Sequence, residues 1–189
     1  HPRDGYWGGA PVKAGEWYGD LVAALGKQDW QAAAYAAGVL SHYALDPLMP
    51  LHTAQSEAEN NVHAAVEWTV NRSYADLARM AELEYGHIKI SKPEGDNWLA
   101  VLICQGADKA TLHYETLLTH YDIKRGVVEP TEGLDYVGQR AVADMIAHAV
   151  RLFAVVLDAA IQEANVAPPD INLMGDVVAS IDSWPRAKL

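Results

Sequence analysis

Residues 38–68 read GVLSHYALDPLMPLHTAQSEAENNVHAAVEW, and how this stretch folds decides how the chain folds. Its first part carries apolar residues at helical spacing and finishes in H-x-x-x-D (His42, Asp46), where Pro47 forbids easy continuation. Its last part opens on S-x-x-E (Ser56, Glu59), a capping-box signature, and runs into H-x-x-x-E (His63, Glu67). Between them PLMPLHTAQ contains two prolines and presents His52 from irregular backbone. The stretch is therefore helix, short link, helix. Residues four apart lie one turn apart on one helix face, so each pair points in a common direction.

The residue types in this stretch carry the chemistry. Imidazole and carboxylate together suit divalent zinc, whereas carboxylates without histidine suit calcium or magnesium. His42, Asp46, His52, His63 and Glu67 are five candidate ligands within one short segment. One such pair alone is common by chance and marks a surface pair or a helix-end interaction. Two pairs flanking a further histidine predict a zinc site.

Working outward, helical periodicity continues on both sides. Upstream, Trp17, Tyr18, Leu21, Val22 and Leu25 define a helix over residues 12–25, stopped by Gly26. Asp29 is the N-cap of a second helix ending at His42 and Asp46, with Ala34 and Gly38 as small residues that admit a close neighbour. Downstream, the helix opened by Ser56 is expected to reach residue 85, with Asn60, His63 and Glu67 on one stripe. Val66, Val70, Leu77 and Met80 are among its buried positions, and Gly86 ends it. HIKISKPEGD is a loop with a minor extended piece at residues 87–90. A fourth helix spans residues 97–121 and a fifth, long one spans 134–165. His113 and His120, seven residues apart in the fourth helix, could share a face and bind metal, but exposed or core histidines are the better reading and both are left unassigned; His148 in the fifth is read as structural.

Length and composition agree with one domain: 189 residues and 50% hydrophobic content build one sizeable core. The fold class expected is all-α, a single-domain helical bundle of about five main helices over residues 1–165, with a tail over 166–189 carrying an amphipathic piece around residues 173–181. The longest apolar runs are broken by Asp, Arg, His or Gln, so no transmembrane segment is expected and the chain is read as soluble. A net charge of −11 speaks against an electrostatic grip on nucleic acid, although bound zinc would reverse the sign locally. The single cysteine, Cys104, lies in WLAVLIC and is expected to be a buried core thiol. No Gly-rich phosphate loop and no G-x-S-x-G occurs, so nucleophilic serine or cysteine catalysis is unsupported. Trp7, Trp17, Trp30 and Trp68 fall near the site in sequence, with core packing as their default role.

LSHYALDPLMPLH followed by VHAAVEW resembles the H-x-x-x-D-x(5)-H then H-x-x-x-E pattern of the zinc-dependent phospholipase C family, which single-strand nucleases of the S1/P1 type share loosely. The resemblance runs upstream through KAGEWYGDLVAALGKQDWQAAAYAAGVLSH and more faintly downstream to about residue 165. It implies an all-helical cleft with one to three zinc ions that hydrolyses phosphodiesters. By the same resemblance His42 and Asp46 hold one ion, Asp46 bridges to another and is the catalytic candidate, and His52, His63 and Glu67 hold a further ion. His1 falls close to where the family places another zinc histidine, and could bind through its α-amino group as well; the competing reading is a terminal residue with no metal role.

The family's early tryptophan, histidine and aspartate are not found here, so the chain is expected to be processed or truncated. The implied substrate is a phospholipid head group or another phosphodiester, with peripheral contact at a membrane surface and a secreted or periplasmic location. A nuclease of the related type ranks second, because its family carries aspartate where this chain has Glu67 and no base-stacking aromatic pair is found. A non-catalytic helical module that retains zinc ranks third.

Overall fold

The structure, a computed structural model, describes residues 8–167. His1, Trp7 and the expected amphipathic piece at 173–181 lie outside the described residues. Within them the chain forms eight α-helices: α1 (Ala10–Gly26), α2 (Trp30–Leu45), α3 (Glu57–Arg72), α4 (Tyr74–Tyr85), α5 (Trp98–Thr111), α6 (Tyr114–Thr119), α7 (Ile123–Val128) and α8 (Tyr136–Ala164). Short 3-10 turns occupy Asp46–Leu48, Pro50–His52 and Pro130–Glu132. Among the described residues the only β pairing is an isolated bridge between Tyr121 and Leu134. The chain is an all-α, single-domain fold.

Local sequence explains most of the boundaries. Asp29 caps α2 by accepting from the Ala32 amide at 3.1 Å, and Asp135 caps α8 by accepting from Val137 and Gly138 at 2.9 and 3.0 Å. Pro47 and Pro50 each stand in the first turn of a 3-10 segment, where their missing N–H leaves no donor unpaired. The link expected to be irregular is thus two tight turns. α8 ends at Asn165, whose φ of 50° is a left-handed cap, and its N–H returns to the carbonyls of Ile161 and Gln162.

Two of the five expected helices are broken, and the breaks follow tertiary packing. The run expected over 56–85 bends at Ser73, because α3 packs against α7 and the 130–132 turn while α4 lies along α8. The run expected over 97–121 breaks at Leu112–His113. Gly106 is buried within α5, where a Cβ would come within 2.7 Å of the Leu48 side chain, so the glycine permits that approach. α7 was not expected. Nor does an extended piece form at residues 87–90, which lack regular structure and have no partner strand among the described residues.

The core has two main halves. Leu21, Leu40, Leu48, Leu102, Ile103, Leu152 and Val156 fill the one between α1, α2, α5 and α8. Leu51, Val66, Leu77, Tyr114, Leu117, Leu134 and Val142 fill the other, around α3 and α6. Leu48 and Leu51 belong to different halves, so the proline-rich link is anchored at both ends, each buried leucine contributing about 1.5–3 kcal/mol. Val66 and Leu77 are buried as expected, whereas Val70 and Met80 are half-buried. Ala34 and Gly38 are exposed, with open space beside Gly38, so no close neighbour among the described residues uses their small size. Trp68 is 52% exposed under Arg72 and is not a core residue. Cys104 is half-buried, and burial pushes its thiol above the ordinary value.

One buried polar network pins the second half of the chain. Asp144 on α8 is 6% exposed and accepts from Lys109 at 3.0 Å and His113 at 2.9 Å, while His148 Nδ1 donates to its backbone carbonyl at 2.9 Å and lies 3.1 Å from its carboxylate. Burial alone would raise its pKa, but the bonds from His113 and Lys109 outweigh that and hold it below the usual carboxylate range. His113 and His148 thus both engage Asp144.

Candidate metal centre

The backbone around the link fixes three side chains in space. The His52 amide donates to the Met49 carbonyl at 2.9 Å, and fully buried Thr53 ties its hydroxyl to the Pro50 carbonyl at 2.7 Å. His52 therefore leaves a rigid turn beside the buried Leu51. α3 starts at Ser56, whose hydroxyl accepts from the Glu59 amide at 3.0 Å and from the Tyr114 hydroxyl at 2.9 Å. That second bond ties α6 to the start of the helix that carries His63 and Glu67.

His52 Nε2 stands 3.0 Å from His63 Nε2, and each stands 3.2 Å from Glu67 Oε1. The two rings are stacked, with centroids 4.9 Å apart. Among the described residues these three are the group able to hold a metal ion. A tetrahedral zinc with bonds of about 2.0–2.1 Å places its donors about 3.3–3.4 Å apart, close to this triangle.

The other ring nitrogens settle the tautomers. His52 Nδ1 faces two acceptors of Asp46, its carbonyl at 3.0 Å and Oδ1 at 3.0 Å. His63 Nδ1 faces the carboxylate of Glu59, which is 3% exposed. A carboxylate or carbonyl only accepts, so both Nδ1 atoms carry the proton and donate it. In the neutral rings both Nε2 atoms are then bare lone pairs, aimed at each other and at a third acceptor. Only a proton or a metal ion satisfies three converging acceptors. Carboxylates behind both histidines are the arrangement that orients metal-bound imidazoles.

The carboxylates also set the electrostatics of the site. The His52 bond holds Asp46 below the usual carboxylate range against its burial. Burial pushes the His52 ring down, but Asp46, with Glu67 beside it, outweighs burial and the ring lies above the ordinary histidine value. In front of the triad opens a cavity of about 460 Å³, bordered by Gly8, Gly9, Asp46, His52, Glu59, Asn60 and His63. A larger open groove of about 900 Å³ runs between α7 and the start of α8. Its charges are mixed, and its His120 pairs at 2.8 Å with Asp135, the α8 cap.

Comparison of this chain with protein-family models, with curated proteins and with solved structures finds no match.

Of the residues singled out in the sequence, His52, His63 and Glu67 come together, and Asp46 stands behind His52. His42 lies exposed on the last turn of α2, its ring edge-on to Tyr43 with centroids 5.2 Å apart, outside the triad. Glu59 was missed as a site residue because S-x-x-E reads as a capping box. Ser56 does accept the Glu59 amide, but the Glu59 side chain turns to His63 instead of returning to the cap. The signal was present in the spacing, since Glu59, His63 and Glu67 recur every fourth residue on one face.

Proposed function

We propose that this chain is a zinc-dependent phosphodiester hydrolase of the phospholipase C-like type, with zinc held by His52, His63 and Glu67. The observation that carries the metal reading is the convergence of three potential ligand atoms within 3.2 Å of one another, none of them a donor when both rings are neutral. The hydrolase reading adds the resemblance of the ligand pattern and the adjoining cavity. When bound, zinc supplies Lewis-acid activation of water and of a phosphoryl oxygen. The chain's own residues bind and orient: Asp46 holds the His52 ring, Glu59 holds the His63 ring, and the turn around Pro50 fixes where His52 stands.

Charge bears on how many ions the site needs. Asp46, Glu59 and Glu67 bring three carboxylates to the triad and cavity, so one dication leaves the site negative to a phosphodiester anion. A second ion reverses that, and His42 with Asp46 are the residues that the resemblance assigns to it. The substrate class is a phospholipid head-group phosphodiester, with peripheral contact at a lipid surface. No helix among the described residues is long and apolar enough to cross a membrane.

The test offers the purified protein a choline phosphodiester chromogen and single-stranded DNA side by side, with and without chelator. Chelator-sensitive hydrolysis of the chromogen, lost in Asp46→Asn at unchanged helical content, is the expected result. Cleavage of the DNA alone would favour a nuclease, and activity on neither would leave a zinc-binding module.

A further inference from the structure

Glu59 carries its carboxyl group in a place that disfavours charge. It is 3% exposed on α3, and among the described residues no Lys or Arg forms an ion pair with it. The other deeply buried carboxylate, Asp144, has Lys109 at 3.0 Å and two histidines. Glu59 has the Nδ1–H of His63. A buried charge with so little compensation weakens the fold unless something else requires it.

The two histidines of the triad are also held unequally. His52 Nδ1 has two acceptors within 3.0 Å, the carbonyl and the carboxylate of Asp46, so loss of one leaves the other. Among the described residues His63 Nδ1 depends on Glu59 alone. A cation on His63 Nε2 would polarise the ring, strengthen its N–H as a donor and give the buried carboxylate the positive partner that no Lys or Arg among the described residues supplies.

We propose that Glu59 is a positioning residue for the metal centre, fixing the tautomer and ring orientation of His63 and retained at the expense of metal-free stability. This rests on the metal reading of the triad. It implies two effects of opposite sign in one variant: Glu59→Gln binds zinc more weakly, yet the metal-free protein is as stable as the parent or more so. A residue that merely supports the helix would lower stability and leave affinity alone.

The experiment measures zinc affinity by competition with a chromophoric chelator for the parent, Glu59→Gln, Glu59→Ala and the control Glu57→Gln. Glu57 is exposed in the first turn of the same helix. Metal-free melting temperatures and the visible absorption of the cobalt-loaded proteins are recorded alongside. The expected result is a loss of about 10–100-fold in zinc affinity for Glu59→Gln, at least as much for Glu59→Ala, and none for Glu57→Gln. The metal-free melting temperature of Glu59→Gln should not fall, and its cobalt spectrum should shift as the His63 ring reorients. A parent protein that binds no zinc would overturn the metal reading and this inference with it. A parent that binds zinc, beside a Glu59→Gln that binds within about twofold of it, overturns the positioning role alone.

Discussion

Replacing Asp144 by alanine removes the polar pin that joins α5, α6 and α8. Its carboxylate is nearly buried, and breaking a fully buried ion pair costs about 3–5 kcal/mol. Here the partners are not fully buried: the Lys109, His113 and His148 side chains are 37%, 21% and 19% exposed and recover some water. His148 also keeps the Asp144 carbonyl at 2.9 Å. These offsets place the expected loss at about 2–3 kcal/mol, or about 5–10 °C in melting temperature for a chain of this length. The pH dependence has a definite sign. A carboxylate held below its unfolded value contributes fully above about pH 3.9 and fades as the pH falls through its native value. The gap between parent and Asp144→Ala should therefore be complete at neutral pH and smaller near pH 3. Urea unfolding followed by circular dichroism at both pH values measures it. A neutral-pH loss below about 1 kcal/mol, or a gap that widens in acid, would refute the reasoning.

Gly133→Ala places a Cβ 2.6 Å from the Tyr121 ring, 2.9 Å from the Thr69 hydroxyl and 3.0 Å from the Gly126 backbone, so it should destabilise by about 1–3 kcal/mol in thermal melts. A neutral substitution there would mean that the contact between α3 and α7 yields easily. Zinc affinity should drop at least about tenfold from pH 7.5 to pH 5.5, because both imidazoles must be neutral to bind and Asp46 holds the His52 proton to higher pH. Competition titrations at the two pH values check this, and a flat profile would argue against histidine ligands.

The parts of the fold legible in the sequence are those set locally. Asp29, Pro47 and Ser56 mark helix ends through capping and missing-donor chemistry, and His52, His63 and Glu67 converge as their spacing implies. The bend at Ser73 was not legible, since no Pro or Gly marks it and it arises where two halves of one periodic run pack on different partners. α7, six residues long, is too short to show a period. Ala34 and Gly38 misled because a small residue reads the same whether a neighbour approaches or solvent does. Glu59 was hidden by a motif that was half right: its amide does what the capping box asks, and its carboxylate does something else.

The most direct test of the central claim is zinc uptake by the metal-free protein, titrated for the parent and for His63→Ala. The parent should take up at least one zinc ion per chain, bound through two imidazole nitrogens and a carboxylate oxygen at about 2.0–2.1 Å by X-ray absorption. At a hundredfold excess over Kd the ion should stabilise the fold by about 2.7 kcal/mol. His63→Ala should lose that ion and its stabilisation. A parent that takes up no zinc, or a His63→Ala protein that takes up as much with the same spectrum, would contradict it.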